Sequence, residues 1–148
     1  MLDYLADEVL ERQPTAVRDF LLHTAVLDRL SGLLCDAVTG RDDSAAMLAT
    51  LERGNVFVVP LDDKRHWYRY HHLFADALRA RLLDAQPGHV PELHRRASAW
   101  YERHGESSEA IRHALAAGDA IRSADLIERA LPALRQRQLG VATLGWLR

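Results

Sequence analysis

Lysine is almost missing from this chain: of 19 basic residues only Lys64 is not arginine, against 21 acidic residues. A phosphate-cradling loop of the G-x-x-x-x-G-K-[ST] type needs a lysine directly after its glycine turn. Lys64 follows "PLDD", so the chain by itself carries no such loop and is not a nucleotide hydrolase of that kind. Cysteine is as scarce. The single Cys35 excludes an internal disulfide and a cysteine-based structural zinc site, fits a reducing compartment, and reads as core filler. No apolar run approaches the roughly 20 residues of a membrane span. The opening "MLDYLADEVLERQ" is amphipathic and acidic, unlike a signal peptide, so a cytoplasmic protein without a membrane partner is expected.

Catalytic and metal-binding signatures are missing as well. The sequence holds no H-E-x-x-H and no G-x-S-x-G. His89, His94, His104 and His113 do not stand three or four residues from one another, the spacing at which a helix chelates a metal. The expectation is a chain with no catalytic site and no metal. A formal net charge of -2 gives no global bias toward nucleic acid, so any anionic partner has to be met locally.

What is present is 48% hydrophobic residues in a chain of 148, enough for one ordinary domain or a small domain with an appendage. Leu2, Leu5, Val9 and Leu10 repeat at helical spacing, and Pro14 fits the first turn of a second helix carrying Val17, Leu21 and Ala25. A third helix should end near Gly40. A fourth, capped by Asp43 or Ser44, carries Met47, Leu48 and Leu51 and stops at Gly54-Asn55. The period then changes. "NVFVVPL" is β-branched and "HWYRY" alternates around a turn-like "DDKR", so Val56 to Leu61 and His66 to Tyr70 read as a hairpin, with Pro60 tolerable near a strand end. Helices followed by one hairpin is the order of a winged helix domain, the hairpin being its wing.

After the hairpin the pattern is helical throughout. One stripe runs through Leu73, Phe74, Leu78 and Leu82; another through Val90, Leu93, Ala97, Trp100 and Tyr101 closes at Gly105. Ser107 or Ser108 should cap a third with Ile111, Ala114 and Leu115 that ends at Gly118, Asp119 a fourth with Ala120, Ala124, Ile127 and Leu131, and Pro132 should start one more. Paired short helices rich in alanine suggest repeats of the tetratricopeptide type. The fold class is thus mainly α: a winged helix domain over 1–86 with its hairpin at about 56–70, then the start of a helical superhelix over 87–148. The chain opens inside a helical pattern and closes on an apolar, uncapped "LGVATLGWLR", which reads as a piece of something longer.

Three stretches, "FLLHTAVLDRLSGLLCDAVTG", "LERGNVFVVPLDDKRHWYRYHHLFADALRARL" and "PELHRRASAWYERHGESSEAIRHALAAGD", resemble the MalT-like regulators of the LuxR class, ATP-dependent transcription activators among the signal-transduction ATPases. The resemblance covers nearly the whole chain. It implies a segment lying just after a nucleotide-binding domain, whose partners are that domain and the helical repeats of the same chain. It also implies a parent that binds ATP or ADP, contacts DNA through a separate domain and forms a ligand-dependent oligomer. Related ATPase switches carry a Met-His-Asp motif at the join of the winged helix strand and helix, where the histidine contacts the ADP β-phosphate. "RYHHLFADAL" is similar to that segment, with Tyr70 at the methionine place, His71 at the histidine and His72 at the aspartate. The resemblance makes His71 the candidate phosphate sensor, and the departure at His72 removes the aspartate.

Other readings compete. His71 and His72 could simply cap a helix. Direct DNA binding would use "DDSAAMLATLER", which sets Arg53 against Asp42, Asp43 and Glu52, a poor footprint for a phosphate backbone; Lys64, Arg65 and Arg69 on the wing read as a solvated hairpin. An interaction scaffold without any link to nucleotide is the remaining alternative. Its aromatic candidates Trp100, Tyr101 and Trp146 fall on apolar stripes and are expected to pack in the core.

Overall fold

The computed structural model describes residues 2–54 and 57–131. The strand start expected at Val56, the helix expected from Pro132, Trp146, and the side chains of Leu2 and Leu5 lie outside the described residues. Helices α1 (Leu2–Arg12), α2 (Thr15–His23), α3 (Gly32–Thr39) and α4 (Ser44–Arg53) precede a hairpin of β1 (Val58–Pro60) and β2 (Tyr68–Tyr70). Then follow α5 (His72–Ala85), a 3-10 turn at Pro87–His89, α6 (Val90–Arg103) and α7 (Ser107–Ala116). A further helix, α8, runs over residues 120–131. The mainly helical fold with one small antiparallel hairpin is the expected class.

Local chemistry explains most boundaries. Ser31 caps α3 by accepting from the Leu34 N–H at 3.2 Å, and Gly40 ends it in the left-handed region at φ 79°. The α6–α7 turn is a Schellman motif: Gly105 sits at φ 75°, its N–H donates to Glu102 O, and Glu106 N–H reaches back to Tyr101 O at 2.9 Å. That geometry places Glu106 at the cap position of α7, so neither Ser107 nor Ser108 caps it, contrary to expectation. The α4 cap differs too. Asp43 occupies the position but is held by Arg41 at 2.8 Å, and the Ser44 N–H is accepted instead by Asp36 Oδ1 of α3 at 3.0 Å. Asp119 caps α8 as expected, accepting from Arg122 N–H at 3.0 Å.

The strands are shorter than the β-branched runs suggest. Asp62 Oδ1 accepts from His66 N–H at 2.9 Å and Trp67 N–H at 3.3 Å, so those amides serve the turn. Arg65 occupies the left-handed region at φ 55°. Pro60 lies opposite Tyr68 on β1, whose other side is unpaired among the described residues. β2 is flanked on both sides, because Leu30 and Tyr68 exchange backbone hydrogen bonds at 2.7 Å in each direction. Leu30 thus supplies a one-residue third strand.

The core is continuous from Leu10 to Leu126. Phe20, Leu21, Leu30, Leu34 and Leu48 fill it beneath the hairpin, and Leu78, Leu82 and Leu93 extend it across α5 and α6. Burying each such side chain contributes about 1.5–3 kcal/mol. Helix α6 is attached directly to the winged part: Arg96 donates to Val38 O at 2.9 Å, and the Trp67 and Trp100 rings meet edge-on at 6.2 Å. Trp100 and Tyr101 are packing residues, as their stripes indicated. Cys35 is fully buried, and burial pushes its thiol well above the ordinary range.

Helices α3 and α4 meet through small residues. A Cβ on Gly32 would lie 2.8 Å from Ala45 Cβ and 3.1 Å from Ala45 Cα. Gly32→Ala is therefore expected to cost about 1–3 kcal/mol by overpacking, read as a lower urea midpoint at unchanged slope.

Candidate functional site

The join of β2 and α5 is built from alternation. Tyr68 and Tyr70 face the core while Arg69 faces out, so the next outward position belongs to His71. Tyr70 is anchored at the bottom, its hydroxyl 2.6 Å from Thr24 Oγ1, which itself donates to Phe20 O at 2.7 Å. Burial raises the Tyr70 phenol far above its usual range. The chain above it is thereby fixed in height and direction.

His71 is the cap of α5. Its backbone is extended at φ -53°, ψ 134°, its N–H donates to Phe57 O at 2.7 Å, and its Nδ1 accepts from Leu73 N–H at 3.4 Å. Phe57, itself in the left-handed region at φ 52°, stacks on Phe74 at 5.0 Å and sets one wall beside the His71 ring. Because Nδ1 is an acceptor, the neutral ring carries its proton on Nε2. Among the described residues that Nε2–H has no partner, so the capping histidine has one N–H donor to spare at the positive end of a 14-residue helix.

His72 is exposed and stacks on His71 with centroids 4.6 Å apart. It lines a cleft of about 200 Å³ together with Arg69, Arg79, Asp28 and Asp76. His71 does not line that cleft, so the two adjacent histidines serve different surfaces. On the wing, Arg65 pairs with Glu52 of α4 at 3.0 Å, and Arg53 donates to Thr50 Oγ1 at 3.3 Å. Among the described residues no group of three or more His, Cys, Asp and Glu is arranged to hold a metal ion, and no helix is long and apolar enough to cross a membrane.

Spacing along the sequence missed one constellation. His94 of α6 and His113 of α7, 19 residues apart, meet with their Nδ1 atoms 2.9 Å apart. His113 is fully buried, stacks on Tyr101 at 5.6 Å and receives Arg112 Nη2 at 3.2 Å on Nε2. Burial lowers the pKa of both rings, with the Arg112 charge adding to it; His113 is pushed down to about 4. Spacing within a single helix carries no sign of a pair made between two helices.

The chain is 41% identical over 127 residues, 86% of its length, to the serine/threonine-protein kinase PknK of Mycobacterium tuberculosis strains CDC 1551 / Oshkosh and ATCC 25618 / H37Rv, and equally to that of Mycobacterium bovis. The match spans about 11% of the length of those relatives. The family model described as the MalT winged helix domain matches residues 6–90, a span that takes in α2 to α5, the wing and both site histidines. The chain belongs to the MalT winged helix domain family.

Proposed function

We propose that this chain is the regulatory coupling segment of a MalT-like, ATP-dependent activator of the LuxR class, in which His71 senses the phosphate of ADP bound to an adjacent nucleotide-binding domain. The observation that carries the reading is the His71 cap: with Nδ1 turned to Leu73 N–H, the Nε2–H is the donor a phosphate oxygen would accept from. Capping and sensing then use opposite sides of one ring and do not compete. The chain has no catalytic role; ATP and ADP belong to the parent, as does DNA binding through a separate domain. It acts in the cytoplasm, and the helices that follow residue 87 begin a tetratricopeptide-like superhelix of a parent that forms a ligand-dependent oligomer. ADP would hold the winged helix against the nucleotide-binding domain, and loss of the contact would shift the population toward an open form.

A charge-assisted hydrogen bond of about 1.5–3 kcal/mol moves such a balance roughly tenfold to a hundredfold. The test is ADP retention after gel filtration of the full-length parent. His71→Asn keeps a short side-chain acceptor for the helix cap but loses the Nε2–H, and His71→Ala loses both. Loss of ADP in both variants, at matched folding by circular dichroism, is the expected result; full retention in His71→Asn would leave the histidine a cap alone.

A second reading concerns output. The relatives at 41% identity are called serine/threonine-protein kinases, so the same coupling segment could serve a parent whose effector is a kinase in place of a DNA-binding domain. Phosphate transfer from labelled ATP to a protein substrate by the parent would favour it; promoter DNA retention would favour the transcriptional form.

A further inference from the structure

A second cavity, of about 350 Å³, opens where α5 meets α6 and α7. Its apolar walls are Val26, Leu82, Leu83 and Val90, and Leu83 at the rim is 56% exposed although it is a large aliphatic residue. Three nitrogen-bearing side chains face the same space: Arg79, Arg112 and His94. The buried histidine pair fixes what His94 offers. Arg112 is always a donor, so His113 Nε2 accepts from it, and the His113 proton sits on Nδ1. That proton is donated to His94 Nδ1 at 2.9 Å, so His94 carries its own proton on Nε2, which has no partner among the described residues. The relay Arg112 to His113 to His94 ends in an N–H donor.

The two guanidiniums share one counter-ion at the mouth. Asp28 lies 3.3 Å from Arg79 and 3.0 Å from Arg112, and its side chain is 58% exposed. Arg79 is held independently of it, donating through Nε to Ala25 O at 2.6 Å and through Nη2 to Leu27 O at 3.3 Å. Arg112 is held by Glu109 at 2.6 Å. Both cations therefore stay in place without Asp28, and an exposed carboxylate in water is inexpensive to displace. A carboxylate that brings apolar surface with it gains what Asp28 cannot, the burial of that surface against the four aliphatic walls.

We propose that this cavity is a binding site for a small aliphatic carboxylate, whose carboxylate takes the place of Asp28 between Arg79 and Arg112 and accepts from His94 Nε2–H while its chain lies along Leu82, Leu83 and Val90. The site joins α5 of the winged helix part to α6 and α7, so occupancy braces that junction. It is independent of His71, and the two readings stand or fall separately.

The test uses the 148-residue chain, sodium hexanoate and, as an anion without a tail, inorganic phosphate. Saturable binding of hexanoate is expected to shift the His94 ring nitrogens in nitrogen-15 spectra, with phosphate at least tenfold weaker. Asp28→Asn, a change on an exposed side chain, removes the internal competitor and should tighten hexanoate about tenfold. His94→Ala should weaken it about tenfold. No saturable hexanoate shift in either the parent chain or Asp28→Asn would overturn the proposal, as would unchanged or weaker binding in Asp28→Asn. Equal binding of phosphate would remove the aliphatic walls from the site and overturn the ligand class.

Discussion

Leu30→Ala is expected to cost about 2–5 kcal/mol, lowering the melting temperature by roughly 4–20 °C. Leu30 is 0% exposed and lies in the core cluster with its backbone bridged to Tyr68 in both directions at 2.7 Å. The substitution leaves both backbone bonds intact and removes only the side chain, so the loss reports the cavity left at the edge of the wing. Three residues on, Leu33 is 68% exposed, and Leu33→Ala should stay within about 0.5 kcal/mol. The contrast between two leucines of one short segment separates a core position from generic hydrophobicity. A Leu30→Ala loss below about 1 kcal/mol would mean that the third strand does not plug the core as described.

Leu30 also marks where the sequence stops being legible. A strand of one residue has no period to read, and "LDRLSG" offers two leucines among polar and turn-forming residues. By contrast, the helix ends at Gly40, Gly105 and Gly118 could be read, because each takes a left-handed conformation that glycine adopts without strain. The alternation of Tyr68, Arg69 and Tyr70 likewise translated directly into buried, exposed and buried. Strand lengths did not. His66 to Tyr70 has the composition of a longer strand than the observed Tyr68–Tyr70, but the Asp62 side chain claims the amides of His66 and Trp67. Caps supplied from another element fail for the same reason, as when Asp36 of α3 serves Ser44 of α4 eight residues later. At the site, the strand-to-helix join and the resemblance singled out His71, whereas its use of Nδ1 for the cap is a matter of backbone geometry. His94 and His113 become a pair only when α6 and α7 pack.

Acidification from pH 6.5 to pH 4 should weaken the fold by about 3 kcal/mol through His113 alone, beyond whatever the carboxylates contribute. Burial first, then the Arg112 charge and His94, hold the His113 pKa at about 4 against the 6.5 of a free imidazole. Glu109 and Asp28 oppose that shift without cancelling it. The native ring stays neutral where the unfolded one is protonated, so the unfolded state binds more protons throughout this window and stability falls as pH falls. The geometry gives the same sign. A proton on His113 Nε2 would face the Arg112 N–H at 3.2 Å, and one on His94 Nδ1 would face the His113 N–H at 2.9 Å, so either event breaks a buried hydrogen bond. Urea unfolding at a series of pH values measures the slope. His113→Leu should be less stable than the parent at pH 7, since Arg112 and His94 lose a partner, yet its stability should decline less between pH 6.5 and 4. The slope difference is unaffected by the lower starting point. Equal slopes in the two proteins would show that His113 takes up its proton in the native state, and the neutral relay from Arg112 to His94 would then be wrong at its centre.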